Sequence, residues 1–317
     1  MAWDKLRFAR KILPLILSYT FEQLTKYIRG IIHKRTYTAG PNPVNIVVIG
    51  GSFAGWHLAN RLTQSLPNGY RVVLVERTSH FNYTFNFPRY SVLRGREQKA
   101  FIPYTSWAAK CPEGSLRVLN GTVEGVRDGV VILEGGEEIS FEFLAIATGS
   151  THPLPAKVVG RTKTEGRAEL KALQDQIETA KRIAVVGGGA VGVQLVGDIK
   201  DWYPNKEVTL IQSRERLLPS FGERLSLFVM EKLKDMDIRV LLGERPHVAG
   251  IQSGDIGLHF KNGKIETFDL VVRRFHLSRT IGALINSRSP ALAKNPTLPS
   301  SPSRFRDQSQ RRMSVSW

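Results

Sequence analysis

The chain holds a single cysteine, Cys111, in 317 residues. That excludes a disulfide framework and a Cys-x-x-Cys redox pair, so any electron chemistry has to reside in a bound cofactor rather than in protein thiols. Long apolar runs are also missing. The most apolar stretch of the first forty residues, Ile12 to Leu17, is too short to span a bilayer. No small-residue cleavage site follows it, which argues against a secretory signal, and a Met-Ala start excludes N-myristoylation. His80 has no second ligand at metal spacing, so it reads as structural and no metal site is expected.

Acidic residues are scarce: 28 Asp and Glu stand against 45 Lys and Arg, for a net charge of +17. The imbalance sits at the ends. Residues 1–40 carry eight cations against Asp4 and Glu22, and residues 273–317 carry nine against Asp307, which leaves +3 for everything between. A broad basic surface is therefore not implied. The tail also lacks a reading motif and any alternation of aromatic and basic residues, so no specific nucleic-acid partner is expected.

Two readings of residues 1–40 stand side by side. Cations flank the apolar run, with Trp3, Phe8, Tyr19 and Phe21 nearby, which suits peripheral membrane association of a helix lying in the interface. A terminal helix packed on the domain surface fits equally well. Pro14 is expected to break or bend such an interfacial helix. The expected location is cytoplasmic, with or without membrane association.

After the Gly40-Pro41-Asn42-Pro43 linker, Val44 to Ile49 form a continuous apolar strand that runs into Gly50-Gly51-Ser52-Phe53-Ala54-Gly55 and then a helix. This is the strand, turn and helix of a dinucleotide fingerprint, in which backbone N–H groups face a pyrophosphate at the positive end of a helix. Ser52 stands where the second glycine is usual, and its hydroxyl can donate to a phosphate oxygen. The next strand ends in Glu76, 21 residues beyond Gly55, where a carboxylate accepts from ribose hydroxyls.

The pattern restarts at Arg182, with Gly187, Gly189 and Gly192 at all three fingerprint positions. Two copies in one chain are more specific than either alone. Gln212 stands at the end of the following strand, 20 residues after Gly192, where an NAD-reading acid would be. Its neutrality removes the group that repels a 2′-phosphate. Arg214, with Arg216, is placed to pair with that phosphate or, on the blander reading, opens a solvated loop.

The segments VVIGGSFAG, LVE and AIATGS resemble the pyridine-nucleotide flavin oxidoreductases, and in particular their apoptosis-inducing-factor-like, ferroptosis-suppressor-like branch, over residues 44–272. The resemblance implies an α/β fold of two Rossmann-like domains of glutathione-reductase type. The NAD(P) domain, 156–272, is inserted in an FAD domain that begins at 41–155. The implied cofactors are FAD and NAD(P)H, and the implied reaction passes a hydride from NAD(P)H to FAD and then electrons to a small-molecule acceptor such as a quinone or oxygen.

By the same resemblance Arg89 contacts FAD, the segment Lys99 to Tyr104 lies close to it, and Val123, Thr148 and Gly149 complete the flavin-binding set. Gln194 replaces a glutamate that is common in the family where nicotinamide meets flavin. Phe81, Tyr83, Phe85 and Phe87 alternate, which fits one buried face of a strand as well as a flavin wall. After Val272 the family's Thr-Gly turn and later Gly-Asp are missing. Instead residues 273–317 are rich in Ser, Pro and Arg, so a disordered tail and an FAD domain cut short are expected. The alternative is a non-catalytic NAD(P)-binding remnant that does not retain FAD.

Overall fold

The computed structural model describes residues 2–252, 255–273 and 278–279. Helix α1, Ala2–Thr36, runs through Pro14 without ending there, so of the expected break or bend the break does not occur. Proline removes one rung of the ladder, and the Leu, Ile, Lys and Arg of the flanking turns are good enough helix formers to carry the helix past it. His33, Lys34 and Arg35 in the last turn complement the negative end of the helix dipole.

The first unit comprises β1 (Val44–Ile49), α2 (Phe53–Thr63) and β2 (Tyr70–Glu76), followed by a segment holding β3 (Phe81–Asn82), α3 (Phe87–Tyr90), β4 (Phe101–Ile102) and α4 (Thr105–Ala108). It continues with β5 (Leu116–Asn120), the antiparallel meander β6 (Val123–Arg127), β7 (Val130–Leu133) and β8 (Glu138–Ser140), and β9 (Phe143–Ile146). Strands β5-β2-β1-β9 make a parallel sheet in that order. Val47, Val48, Val72, Val73 and Leu74 are completely buried, which is why these strands read as apolar runs with no alternation.

A linker begins with β10 (Ser150–Thr151) and leads to α5 (Lys163–Thr179). The second unit repeats the plan: β11 (Arg182–Val186), α6 (Ala190–Trp202), β12 (Glu207–Ile211), α7 (Glu223–Asp235) and β13 (Arg239–Leu241). A second meander, β14 (His247–Gln252), β15 (Asp255–His259) and β16 (Ile265–Phe268), leads to β17 (Leu270–Arg273). The parallel order is β13-β12-β11-β17, the same as in the first unit. The expectation of two Rossmann-like α/β units is met. Of the expected tail, Arg273 closes β17, and β18 (Ser278–Arg279) pairs antiparallel with β10; the rest lies outside the described residues.

The two units share their packing. Val92 of the first unit is buried in the core of the second with Ile177, Ile183, Leu195 and Leu210, and Phe87 and Phe101 pack on Val158 and Leu170. The alternating aromatics are not one strand: after β3 the chain turns helical, so Phe81 and Phe87 are buried while Tyr83 and Phe85 are exposed. The bulky Phe87-Pro88 pair starts a helix, since proline is well placed in a first turn.

Glu266 on β16 ties the second meander to the edge strand β13. It accepts from Arg239 at 2.7 and 3.0 Å, and Lys264 lies at 3.0 Å. These donors, Arg239 above all, outweigh partial burial and hold its carboxyl down to about 2. A lowered folded value means that the contribution is present above the ordinary carboxylate range and is lost as pH falls toward the folded value. Urea unfolding of the native chain is expected to weaken by about 1–2 kcal/mol between about pH 5 and pH 2 relative to Glu266→Gln, allowing for solvent screening of the half-exposed Arg239. Parallel pH profiles for the two proteins would contradict this.

Candidate dinucleotide-binding sites

Both glycine turns are built the same way. The N–H of Gly50 donates to Val75 at 2.8 Å and that of Gly187 to Ile211 at 2.7 Å, so each turn is pinned to the neighbouring strand. A Cβ on Gly55 would lie 1.7 Å from the carbonyl oxygen of Gly50, and one on Gly192 would lie 1.9 Å from that of Gly187. Only glycine allows the helix to start so close to the strand. Ser52 and Gly189 cap α2 and α6 in nearly the same extended conformation, φ −76° and −83°, which explains why serine is tolerated there. Neither helix start has a side-chain cap, whereas α5 has a complete capping box from Thr162 and Glu165. Uncapped N–H groups at a helix start are the donors that a pyrophosphate accepts from.

The strand ends brace the turns. Glu76 accepts from the N–H of Gly51 at 2.5 Å through one oxygen, and from the N–H and hydroxyl of Thr78, both at 3.0 Å, through the other. Gln212 does the same work in the second unit, accepting from Gly188 at 3.3 Å and Ser213 at 3.1 Å while donating to Arg216 at 3.3 Å. A carboxylate has lone pairs to spare for ribose hydroxyls after such bracing. Tyr104, buried behind the first turn, donates to the carbonyl of Gly51 at 2.8 Å, and burial, with the charge of Glu76, raises its phenol pKa.

Thr148 follows β9 beside this turn, and its buried hydroxyl has no protein partner. The cradle formed by Gly50 and Gly55, the strand-end Glu76 and this orphaned hydroxyl fit an adenine dinucleotide. Gly149 takes a left-handed φ of +66° there, and Lys157 donates to Ser150 alongside it, its ammonium pKa lowered chiefly by burial. Val123 opens β6 just past Gly121, whose N–H donates to Glu76 at 2.9 Å, so it stands at the same strand-end edge. Ala54 lies in the first turn of α2 behind Phe53.

Over the second turn a cavity of about 30 Å³ is lined by Gly187, Gly189, Gly192, Leu154 and Arg273. Arg214 is exposed just beyond β12, and the Arg216 guanidinium is tied to the carbonyl of Pro219 at 3.0 Å. Of the two, Arg214 is the one free to meet a phosphate.

Arg89 meets the second unit. Its guanidinium donates to Asp198 of α6 at 2.8 Å, joining the two units, with its side chain 49% exposed. Burial raises the Asp198 carboxyl pKa against the attraction of Arg89, and its second oxygen is buried without a partner. One turn earlier Gln194 donates to the carbonyl of Phe85 at 3.5 Å. Phe85 and Tyr83 in turn sit against Phe53 at the head of α2. Gln194 therefore lies between the units. Asp198 was not singled out from the sequence, although it lies at i+4 from Gln194 on the same helix face.

A pair of parallel units, each with its own glycine turn, is the architecture of a two-dinucleotide oxidoreductase. The chain belongs to the pyridine nucleotide-disulphide oxidoreductase family, whose profile matches residues 44–274, and FAD and NAD(P)H are the cofactors of that family.

Its relatives confirm the branch. Fe-regulated protein 8 of Mycosarcoma maydis is 36% identical over 221 residues, covering 63% of this chain and 56% of that protein. Ferroptosis suppressor protein 1 of Xenopus tropicalis is 32% identical over 241 residues, covering 72% and 62%. Apoptosis-inducing factor homolog B of Dictyostelium discoideum is 29% identical over 209 residues, covering 63% and 52%. The chain thus spans little more than half the length of these relatives. Among solved structures, a water-forming NADH oxidase from Lactobacillus brevis bound to NADH shares the fold with a TM-score of 0.62 and 17% identity, over 77% of this chain and 56% of that one.

Gly192→Ala is expected to weaken NADPH binding by at least about tenfold, because the turn must open to admit the methyl group. Gly197→Ala on the same helix has nothing within 4 Å and should leave binding unchanged while raising stability slightly. Titration calorimetry and thermal melts of both variants check this, and equal binding would contradict it.

Proposed function

We propose that the chain is an FAD-dependent NAD(P)H oxidoreductase, accepting hydride from NAD(P)H and passing electrons to a small-molecule acceptor, a quinone or dioxygen. The observation that carries this is the duplicated unit, with two equivalent glycine turns held in one packed body by Phe87, Phe101, Leu170 and the Arg89–Asp198 pair. Bound FAD would supply the change from two-electron to one-electron chemistry. The residues contribute positioning. The uncapped starts of α2 and α6 take the pyrophosphates, Glu76 takes a ribose, and Gln194 and Arg89 hold the facing surfaces together, so that donor and acceptor need no search. A quinone acceptor is supported by the resemblance to the ferroptosis-suppressor branch. Oxygen is supported by the water-forming oxidase among the structural neighbours.

NADPH is the expected donor. Gln212 spends its side chain bracing the second turn and carries no charge to repel a 2′-phosphate, and Arg214 stands exposed just beyond it. Arg214→Glu should lower kcat/KM for NADPH by roughly tenfold or more, with NADH little changed. Steady-state rates with ferricyanide and each donor test this, and an unchanged NADPH to NADH ratio would remove Arg214 from the site.

A second reading, an NAD(P)-binding chain that does not retain FAD, is supported by the first turn. There the Tyr104 hydroxyl is spent on the carbonyl of Gly51, and Gly51 and Thr78 take three of the acceptor sites of Glu76, which leaves it one for a ribose hydroxyl. The flavin content of the purified chain separates the two. Near-stoichiometric flavin absorbance and NADPH-dependent bleaching are expected, and a colourless chain that still binds NADPH would establish the second reading.

A further inference from the structure

We propose that α1 lies on an anionic lipid bilayer, with one apolar stripe immersed at the headgroup boundary. Leu13, Leu17, Phe21, Leu24, Ile28 and Ile31 recur at intervals of four and three residues. At 100° per residue they fall within an arc of about 80° along about 27 Å of helix. All six are between 40% and 71% exposed. Ser18, Glu22, Thr25 and Arg29 follow one flank of the stripe and give it a polar border, while the exposed Leu15 and Tyr19 lie outside it.

The stripe is not the surface by which α1 meets its own domain. The foot of the helix is fixed by other positions. Arg29, Ile32, His33 and Thr36, spaced i, i+3, i+4 and i+7, line a cavity of about 300 Å³ together with Leu66 and Asn68. His33 stacks on the buried Tyr37 at 5.3 Å, and Lys34 donates to the carbonyl of Lys110 at 3.2 Å. With the foot held in this way, the stripe stands clear of the first unit.

Charge selects the occupant. Heptad-like spacing also fits a second copy of the helix, but each copy carries eight Lys and Arg against two acids in residues 1–40. A pair would therefore stack cations with almost no carboxylates to match them. The same surplus is complementary to an acidic lipid surface, and the exposed Phe21 and Tyr27, in and beside the stripe, suit the headgroup level. No described helix is long and apolar enough to cross a membrane, and the placement proposed for α1 is along the surface.

Flotation of the full chain with vesicles provides the test, and it does not depend on flavin, so it can fail independently of the oxidoreductase reading. Vesicles with about 30 mol % phosphatidylserine should bind at least about tenfold better than phosphatidylcholine alone, with the difference shrinking at about 0.5 M salt. The double variant Leu24→Glu, Ile28→Glu should lose roughly tenfold or more of that binding with melting unchanged, since both side chains are exposed. Flotation of the double variant equal to that of the native chain would overturn the proposal. So would a native dimer in sedimentation equilibrium that the double variant abolishes while vesicles are ignored, which would assign the stripe to a second copy.

Discussion

The close approach of a helix start to a strand end, permitted by the missing side chains of Gly55 and Gly192, is the constraint on which the rest of the structure depends. With a Cβ at either position the carbonyl oxygen of Gly50 or Gly187 would be overlapped, and α2 or α6 would have to move off its sheet. Because the helices start where they do, their unpaired N–H groups converge just beyond the parallel strands. This is the one edge of such a sheet where fixed positive ends of helices are available to an anionic ligand. Strand order, the buried valines and the bracing by Glu76 and Gln212 all hold that approach in place.

The duplication then gains meaning from the seam. Two dinucleotide units that merely followed one another would present their turns independently. Here the segment between β2 and β5, which in the second unit is replaced by a single regular helix, reaches across. Phe87 and Phe101 enter a core with Leu170, Val92 joins the core of the second unit, and Arg89 meets Asp198. A buried carboxylate with one oxygen unpaired is costly, and a charge-assisted bond to an arginine is the compensation it finds. The irregular stretch of the first unit is thus the part that makes one body of two repeats.

Arg182 fastens the second unit in a comparable way. It donates to Asp269 and Asp255 and to the hydroxyl of Thr267, while Asp269 accepts from the backbone N–H groups of Lys181 and Arg182. The meander and the parallel sheet therefore share one ionic clasp at the start of β11. The glycine turn lies at the other end of that strand, so the clasp sits away from the candidate site and serves the fold.

The local sequence determined the apolar strands, the two turns with their glycines, the acid or amide at each following strand end and the basic, apolar character of residues 1–40, because these depend on backbone freedom and periodicity over a few residues. It could not decide the partner of Arg89 or the division of Phe81, Tyr83, Phe85 and Phe87 between core and surface. Arg89 and Asp198 are 109 positions apart, and only the docking of α3 on α6 makes them neighbours. Burial of alternate aromatics depends on whether the chain stays extended, and at Phe87-Pro88 it does not. Tertiary packing decided those points because burial and charge pairing belong to the assembled surface, which no short stretch of chain encodes alone.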